Sequence, residues 1–381
     1  MMYNCFNSAK KSYSLLQDEK SKKVFYARFF YDLHPCEDTL ALLSMQKERD
    51  IARDSLGRDL MRTVKAMSEM KKSGKTIAIY GVRTWGIKIA NAAIENEVDF
   101  DCFISRGPQR FPNGFFGKPV YSPEWLCEHG DDAFLVVAAS NENGSADQIK
   151  EYLSGIAFPE QNICKTTQNI NAATLLWPEK RQYFEFPELY EEGTAFLDCG
   201  SLDGRNSKEF AAFCKGNYSK IFAFEPEAKD CDRIRESLKQ ARLHDVEVIN
   251  AAVSNFDGAA NFIVCDNPAG GCLSNETPDR VSETTEVTRV VTIDSIVRNE
   301  KVGFIKMDIE GSEHAALQGA AETIRRDKPL LAICVYHKPG DMLAIMDCCH
   351  QLVPEYRFWL RHYSSYHQET VLYASVRGNE N

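Results

Sequence analysis

The sequence predicts an α/β protein: a Rossmann-like sheet in the C-terminal half, preceded by helices and a smaller Rossmann-like α/β domain. Three observations carry this. Residues 1–73 are charged and helical in spacing. From Gly74, short apolar runs alternate with helical patterns, the rhythm of βαβ units. From Phe196 the rhythm resumes with longer runs, and two of them end in a carboxylate: Phe196-Leu-Asp-Cys-Gly-Ser-Leu-Asp-Gly-Arg-Asn-Ser207 and Phe222-Ala-Phe-Glu-Pro226.

A chain of 381 residues is too long for one ordinary core, so more than one domain is expected. Hydrophobic residues are 44% and charged residues 26%, a globular composition. The net charge of -10 disfavours broad contact with a phosphate backbone, so nucleic acid is a poor partner and a small or neutral acceptor a better one. Met1 to Lys11 holds no apolar signal core, and no apolar run is long enough to span a bilayer. The 13 cysteines are scattered, odd in number and never spaced CxxC. Cys102, Cys199 and Cys334 sit in apolar runs, as buried thiols of a reducing cytoplasm would. Cys348-Cys349-His350 is the only dense cluster. Met342, Ile345, Met346 and Leu352 around it mark an amphipathic helix rather than a zinc site.

The elements follow in order. Ser21 to Leu33 carries Phe25, Phe29 and Phe30 and breaks at His34-Pro35. Asp38 to Met45 and Ile51 to Met70 continue with helical spacing, as packing helices or part of a homodimer interface. Thr76 to Tyr80, Phe100 to Ile104, Lys118 to Tyr121 and Ala133 to Ala139 read as strands of a domain over 74–170. Ile87 to Glu95 and Asp147 to Leu153 read as its helices. Gly81-Val-Arg-Thr-Trp-Gly86 is not a P-loop, because Ile87-Lys88 follows where Lys and Ser or Thr are needed. A dinucleotide turn needs a middle glycine where Arg83 stands, although Asp101 lies at a plausible distance for a ribose carboxylate. Residues 171–193 read as a linker, and 194–381 as the last domain.

In that domain the helix Ser207 to Phe213 follows the first strand, and Lys229 to Ala241 follows the second. Val246 to Val253 is the third strand, ending near Ser254. Ala259 to Val264 and Glu286 to Ile293 alternate as a hairpin around a polar loop, a place for substrate contact. Gly303 to Asp308 is the fourth strand. Ile309-Glu-Gly-Ser-Glu313 turns into a helix from Ala315 to Arg325. Pro329 to Tyr336 is the fifth strand, followed by His337 and the helix Asp341 to Leu352. Tyr356 to Arg361 and Thr370 to Ala374 close the sheet antiparallel. This is the seven-stranded plan of class I methyltransferases, in which ligands bind at the carboxyl ends of the strands. Asp198, Glu225, Ser254, Asp308 and His337 all fall at such ends. The glycine turn lets backbone approach a nucleoside, and a carboxylate one strand over accepts its ribose hydroxyls. Together they read as a site for S-adenosylmethionine (SAM).

Asp198-Cys-Gly-Ser-Leu-Asp-Gly204, Phe224-Glu-Pro226, Asn250-Ala-Ala-Val-Ser254, Val291-Thr-Ile-Asp294 and above all Lys306-Met-Asp-Ile-Glu-Gly-Ser-Glu313 resemble the FkbM-type methyltransferases. The resemblance spans about residues 194 to 376, including the tail His362-Tyr to Glu369-Thr-Val-Leu-Tyr373. Many members have Ala where Ser201 stands. The helices and small domain in front resemble longer members associated with polysaccharide or glycan biosynthesis. The resemblance implies SAM-dependent O-methyl transfer to a sugar or polyketide hydroxyl. The cofactor residues expected are Asp198, Gly200, Ser201, Asp203, Gly204, Glu225, Pro226, Ala252, Ser254 and Asp308. The catalytic candidates are His337, Asp308, Glu310 and Glu313. His337, with an ordinary pKa near ~6.5, is the expected general base. A divalent metal on Asp308 and Glu310 is an alternative, but no complete ligand set is legible, so none is assigned. Two other readings stay open: a nucleotide-sugar enzyme using nicotinamide at the Gly81 turn, and a non-catalytic SAM-binding scaffold.

Overall fold

The structure is a computed structural model that describes residues 2–46, 55–82, 84–139, 145–164, 182–264, 272–273, 284–364 and 367–378. Four helices come first: α1 (Met2–Ser14), α2 (Glu19–Leu33), α3 (Glu37–Ser44) and α4 (Ser55–Lys72). Then follow β1 (Thr76–Tyr80), α5 (Thr84–Glu95), β2 (Cys102–Ile104), β3 (Val120–Tyr121), α6 (Trp125–His129), β4 (Ala133–Val137) and α7 (Ser145–Gly155). The third stretch begins with β5 (Ala195–Cys199), α8 (Arg205–Phe213), β6 (Ile221–Glu225), α9 (Ala228–Gln240), β7 (Val246–Asn250) and β8 (Ala252–Val253). It continues with β9 (Gly258–Val264), β10 (Cys272–Leu273), β11 (Thr284–Val291), α10 (Ile293–Val297), β12 (Val302–Met307), α11 (Glu313–Gln318) and α12 (Ala321–Asp327). It closes with β13 (Leu330–Cys334), α13 (Asp341–Leu352), β14 (Arg357–His362) and β15 (Thr370–Ser375). Among the described residues no helix is long and apolar enough to cross a membrane.

Two compact units form. One is Leu33–Glu179 with His362–His367, and holds a parallel sheet in the order β3-β2-β1-β4. Its glycine turn is explained by packing. A Cβ on Gly86 would lie 1.9 Å from the Gly81 carbonyl oxygen, and one on Gly81 would lie 2.5 Å from that of Ala138. Asp101 is not a ribose carboxylate. It precedes β2, at the amino edge of the sheet and away from the Gly81 turn. It accepts from the Ile77 amide at 2.8 Å and from Lys71 Nζ at 2.5 Å. Arg83 lies outside the described residues.

The other unit is Met1–Asp32, Lys180–Arg361 and Gln368–Asn381. Its seven-stranded sheet runs β14-β15-β13-β12-β5-β6-β7, with β15 antiparallel to β13 and the pairs from β13 to β7 parallel. β5, β6, β12 and β13 are buried, largely apolar runs, as expected for strands covered on both faces. The expected helical segment 1–73 therefore divides. Ala9, Leu16, Val24 and Phe25 join the same core as Ile345, Met346, Cys349 and Phe358. The amide of Gln17 bonds the carbonyl of Phe358 at 3.0 Å. Helical periodicity shows that a face is buried, not which partner covers it.

Three boundaries differ from expectation, each for a local reason. The expected third strand ends at Asn250, because the chain turns at Ala251, whose amide bonds back to the Ile249 carbonyl at 3.0 Å. β8 then pairs parallel with β11 in a separate sheet of order β10-β9-β11-β8. Ile293 starts a helix rather than ending a strand, with the Thr292 hydroxyl accepting from Ser295 N. The expected helix 315–325 breaks at Gly319, whose Cα presses on the Ser254 carbonyl; an added Cβ would sit 2.0 Å from that oxygen. The second half restarts because the Asp294 carboxylate accepts from Glu322 N at 3.0 Å and Thr323 N at 2.9 Å.

Candidate active site

The carboxyl edge of β5, β12 and β13 gathers the chemistry. Asp198 is fully buried, and its Oδ2 accepts from Ser201 Oγ at 3.0 Å and Ser207 Oγ at 2.8 Å. Its Oδ1 lies 3.3 Å from Lys306 Nζ, also buried. Lys306 donates further to the carbonyls of Gly200 at 2.7 Å and Cys199 at 3.2 Å. Asp198 therefore holds the glycine loop from beneath. A strand-end aspartate that anchors its own loop spends its acceptors inside the fold. Burial alone would lower the Lys306 pKa, but Asp198 and Asp308 hold it above its ordinary value.

The loop above is tightly specified. Gly200 has φ +79°, and a Cβ there would stand 2.0 Å from the Asp308 carbonyl oxygen. The amides of Gly200 and Ser201 both bond the Phe224 carbonyl. Gly204, at φ +73°, opens α8 against Ile234 and Leu238. Asp203 accepts from the Arg205 amide at 2.9 Å. Leu202 is forced to φ +55° and donates its amide to Glu225 Oε2 at 2.9 Å. Glu225 Oε1 accepts from Glu227 N at 3.2 Å. Each carboxylate oxygen keeps acceptor capacity for a further donor. Burial raises the Glu225 carboxyl to about 7, against the two backbone bonds that favour its charge.

The third-strand residues are arranged differently from expectation. Asn250 stays in the main sheet and ties Glu225 down, donating to its carbonyl at 3.1 Å and to that of Pro226 at 2.8 Å. Ala252 and Ser254 belong to the second sheet. Thr288 of that sheet reaches the Pro226 carbonyl at 3.3 Å. Ser254 instead bonds Val291 and presses on Gly319. It does not sit at a carboxyl end of the main sheet, a correction to the expected placement.

Asp308, Glu310, Glu313 and His337 do come together. His337 Nε2 lies 3.3 Å from Asp308 Oδ1 and 3.6 Å from Glu310 Oε1, and Nδ1 lies 3.0 Å from Glu313 Oε1. Glu313 also accepts from the Ile309 amide at 2.8 Å, tying the start of α11 to the end of β12. Burial alone would lower the imidazole pKa, but three carboxylates overcome it and push it up to about 12. The surrounding carboxylates thus favour the imidazolium form of His337. An isolated imidazole value does not survive three carboxylates within 3.6 Å.

Asp308 is held by two phenols. Tyr183 donates to its Oδ2 at 2.8 Å and Tyr336 to its Oδ1 at 3.0 Å. Burial opposes its ionisation, but the His337 ion pair and the charge of Lys306 hold the carboxyl well below the ordinary range. Both tyrosine hydroxyls are pushed up by burial and stay protonated donors. Tyr183 was hidden in the expected linker, far away in sequence. Lys306 and Tyr336 stood inside or beside quoted motifs, where a buried strand cation and a strand-exit phenol were visible signals. Asp308, Glu313 and His337 offer ligand atoms within 4.8 Å of one another, a spacing a metal could accept by displacing the imidazole proton. Cys349 is in the core on α13, outside that set.

Residues 198–365 match the methyltransferase FkbM domain model. No curated protein matches the chain. Solved structures do. Methyltransferase FkbM from Methylobacillus flagellatus aligns over 84% of this chain and 99% of its own, at 17% identity and a TM-score of 0.43. An rRNA methylase from Streptococcus thermophilus aligns over 50% of this chain and 92% of its own, at 15% identity and a TM-score of 0.33. Aeropyrum pernix fibrillarin, solved with natively bound SAM, aligns over 49% and 68%, at 10% identity and a TM-score of 0.31. Residues 198–365 of this chain are a methyltransferase FkbM domain, and its chemistry is SAM-dependent methylation.

Proposed function

We propose that this chain transfers the methyl group of SAM to a hydroxyl of a sugar or glycan precursor. The observation that carries the reading is the polar cluster on the carboxyl edge beside the glycine loop. Asp308, Glu310, Glu313, His337, Tyr183 and Tyr336 crowd one place. Carboxylates and phenols accept and donate to the hydroxyls of a sugar, and aligning acceptor oxygen, methyl carbon and sulfur is the largest catalytic contribution expected. The loop of Gly200 to Gly204 and Glu225 would hold the nucleoside, with Glu225 on the ribose. In the transfer, the acceptor oxygen bonds the methyl carbon as the carbon–sulfur bond breaks. Its electron pair returns to sulfur, leaving S-adenosylhomocysteine (SAH). The nicotinamide reading is disfavoured because Asp101 is committed to Lys71 and Ile77. Native mass spectrometry of the purified chain with added SAM, followed by tritium transfer from methyl-labelled SAM to a panel of methyl glycosides, tests the reading. A SAM complex and labelled O-methyl glycoside are expected. Label arriving only on amines, or no SAM complex, overturns it.

A further inference from the structure

In the sequence, Asp308 and Glu310 lack a complete set of companion ligands. The fold brings in a third. His337 follows β13 as Asp308 follows β12, and the two strands pair in parallel. Its Nε2 comes within 3.3 Å of Asp308 Oδ1 and 3.6 Å of Glu310 Oε1. We propose that Asp308, Glu310 and His337 form a divalent-metal site, with Glu313 orienting the imidazole. The site itself needs no acceptor; its use in catalysis rests on the hydroxyl-acceptor reading.

The first support is an orphaned nitrogen. The His337 side chain is 7% exposed, and its enclosed Nε2 has no aligned hydrogen bond to either carboxylate. Buried polar atoms are partnered as a rule, and a metal ion on the lone pair is a partner this position can take. The second support is that the set is built as ligand sets are. Asp308, Glu313 and His337 offer ligand atoms within 4.8 Å of one another. One ion takes one ring nitrogen. The other, Nδ1, lies 3.0 Å from Glu313 Oε1, and a ligand histidine is commonly oriented by a carboxylate at its far nitrogen. Glu313 is itself fixed by the Ile309 amide at 2.8 Å. Tyr183 and Tyr336 steady Asp308, one on each oxygen, and each oxygen keeps acceptor capacity. Exposure rises from 1% at Glu313 to 24% at Asp308 and 34% at Glu310. An ion here is therefore reached from the Asp308 and Glu310 side, where its remaining positions take water or an acceptor.

Two carboxylates and a neutral imidazole balance a divalent charge. Lys306 is committed to Asp198 and to the Gly200 and Cys199 carbonyls, and Lys338 to the Gly311 carbonyl. Mg²⁺ gives up water reluctantly, and thiolate-seeking ions find no sulfur in this set. Carboxylate oxygens with one imidazole suit Mn²⁺. An acceptor hydroxyl that joins the ion becomes more acidic and gives its proton to water. Its oxygen bonds the methyl carbon as the carbon–sulfur bond breaks, and the electron pair of that bond returns to sulfur.

The test uses the full chain, stripped with EDTA and dialysed. Mn²⁺ binding is followed by calorimetry and electron paramagnetic resonance, and turnover as tritium transfer from methyl-labelled SAM to methyl glycosides. One Mn²⁺ per chain is expected, with spin-echo modulation from a coordinated imidazole nitrogen. His337→Gln should remove that modulation and most of the affinity. Glu313→Gln, acting through the imidazole, should weaken Mn²⁺ by ~10- to 100-fold. A merely structural Glu313 would lower the melting temperature and leave Mn²⁺ affinity where it was. EDTA should abolish glycoside methylation, and Mn²⁺ restore it. Failure of the wild-type chain to bind stoichiometric Mn²⁺, or bound Mn²⁺ without the nitrogen modulation, overturns the site whether or not the variants fold. Glycoside methylation that survives EDTA overturns the metal's part in the reaction and leaves the hydroxyl reading standing. Label reaching only amines overturns the hydroxyl reading, and the Mn²⁺ titration then decides the site by itself.

Discussion

Lys306→Met should be among the most damaging single substitutions in the molecule. Lys306 and Asp198 are 1% and 0% exposed, 3.3 Å apart. Removing the cation leaves a buried carboxylate whose Oδ1 has no hydrogen-bond donor. It also frees the Gly200 and Cys199 carbonyls. Breaking a buried pair from one side costs about 3–5 kcal/mol. At about 2–4 °C per kcal/mol for a unit of this size, the melting temperature should fall by roughly 6–20 °C. The double variant Asp198→Asn with Lys306→Met removes both charges and should recover much of the loss, giving a coupling of at least about 2 kcal/mol in a denaturation cycle. The folded Lys306 pKa is raised, so its contribution is complete below the ordinary lysine range and is lost only as pH climbs through the folded value; the loss on mutation should be flat from pH 6 to 9. A loss under about 1 kcal/mol, or additive single effects, would refute a loop held by buried charge.

Other outcomes follow from the same geometry. Glu225→Ala should weaken SAM binding by roughly ten- to a hundredfold in calorimetry, the loss of charge-assisted bonds to the ribose. In the free protein the Glu225 carboxyl moves from an ordinary 4.5 to about 7, so the folded chain binds the extra proton between those values. Its contribution to stability is complete below about pH 4.5 and is lost as pH rises to about 7; Glu225→Gln should flatten that part of the denaturation profile by up to about 3 kcal/mol. Asp294→Ala removes both bonds at the start of α12 and should cost about 1–2 kcal/mol in denaturation, with SAM affinity unchanged.

Much of the fold was legible because strand ends in this sheet are chemically marked. Asp198, Glu225 and Asp308 each close an apolar run, and seven strands follow from that rhythm. What periodicity could not show is which surface meets which. The helix of Phe25 joins the same core as strands whose residues lie more than three hundred positions later, and the linker that hid Tyr183 reaches Asp308. Residue type alone also hides a group's electrostatic surroundings. His337 reads as an ordinary imidazole in the sequence, and only the fold shows the three carboxylates around it. Nothing beside Asp198 in the sequence shows that Lys306, Ser201 and Ser207 surround it. These are properties of neighbours in space, to which a single sequence gives no register.

The methyltransferase unit is assembled from three separated lengths of chain, Met1–Asp32, Lys180–Arg361 and Gln368–Asn381. A ribosome delivers the first of these early and the strands it must meet last. At about 5–20 residues per second, roughly 15–70 s pass between the exit of α2 and that of β14. During that interval Val24 and Phe25 lack the strands of the core they are destined for. The nascent helices are therefore a natural target for holdase chaperones. Slow translation, or loss of the last strand, should turn the front of the protein into the part that aggregates, although the missing piece lies at the opposite end.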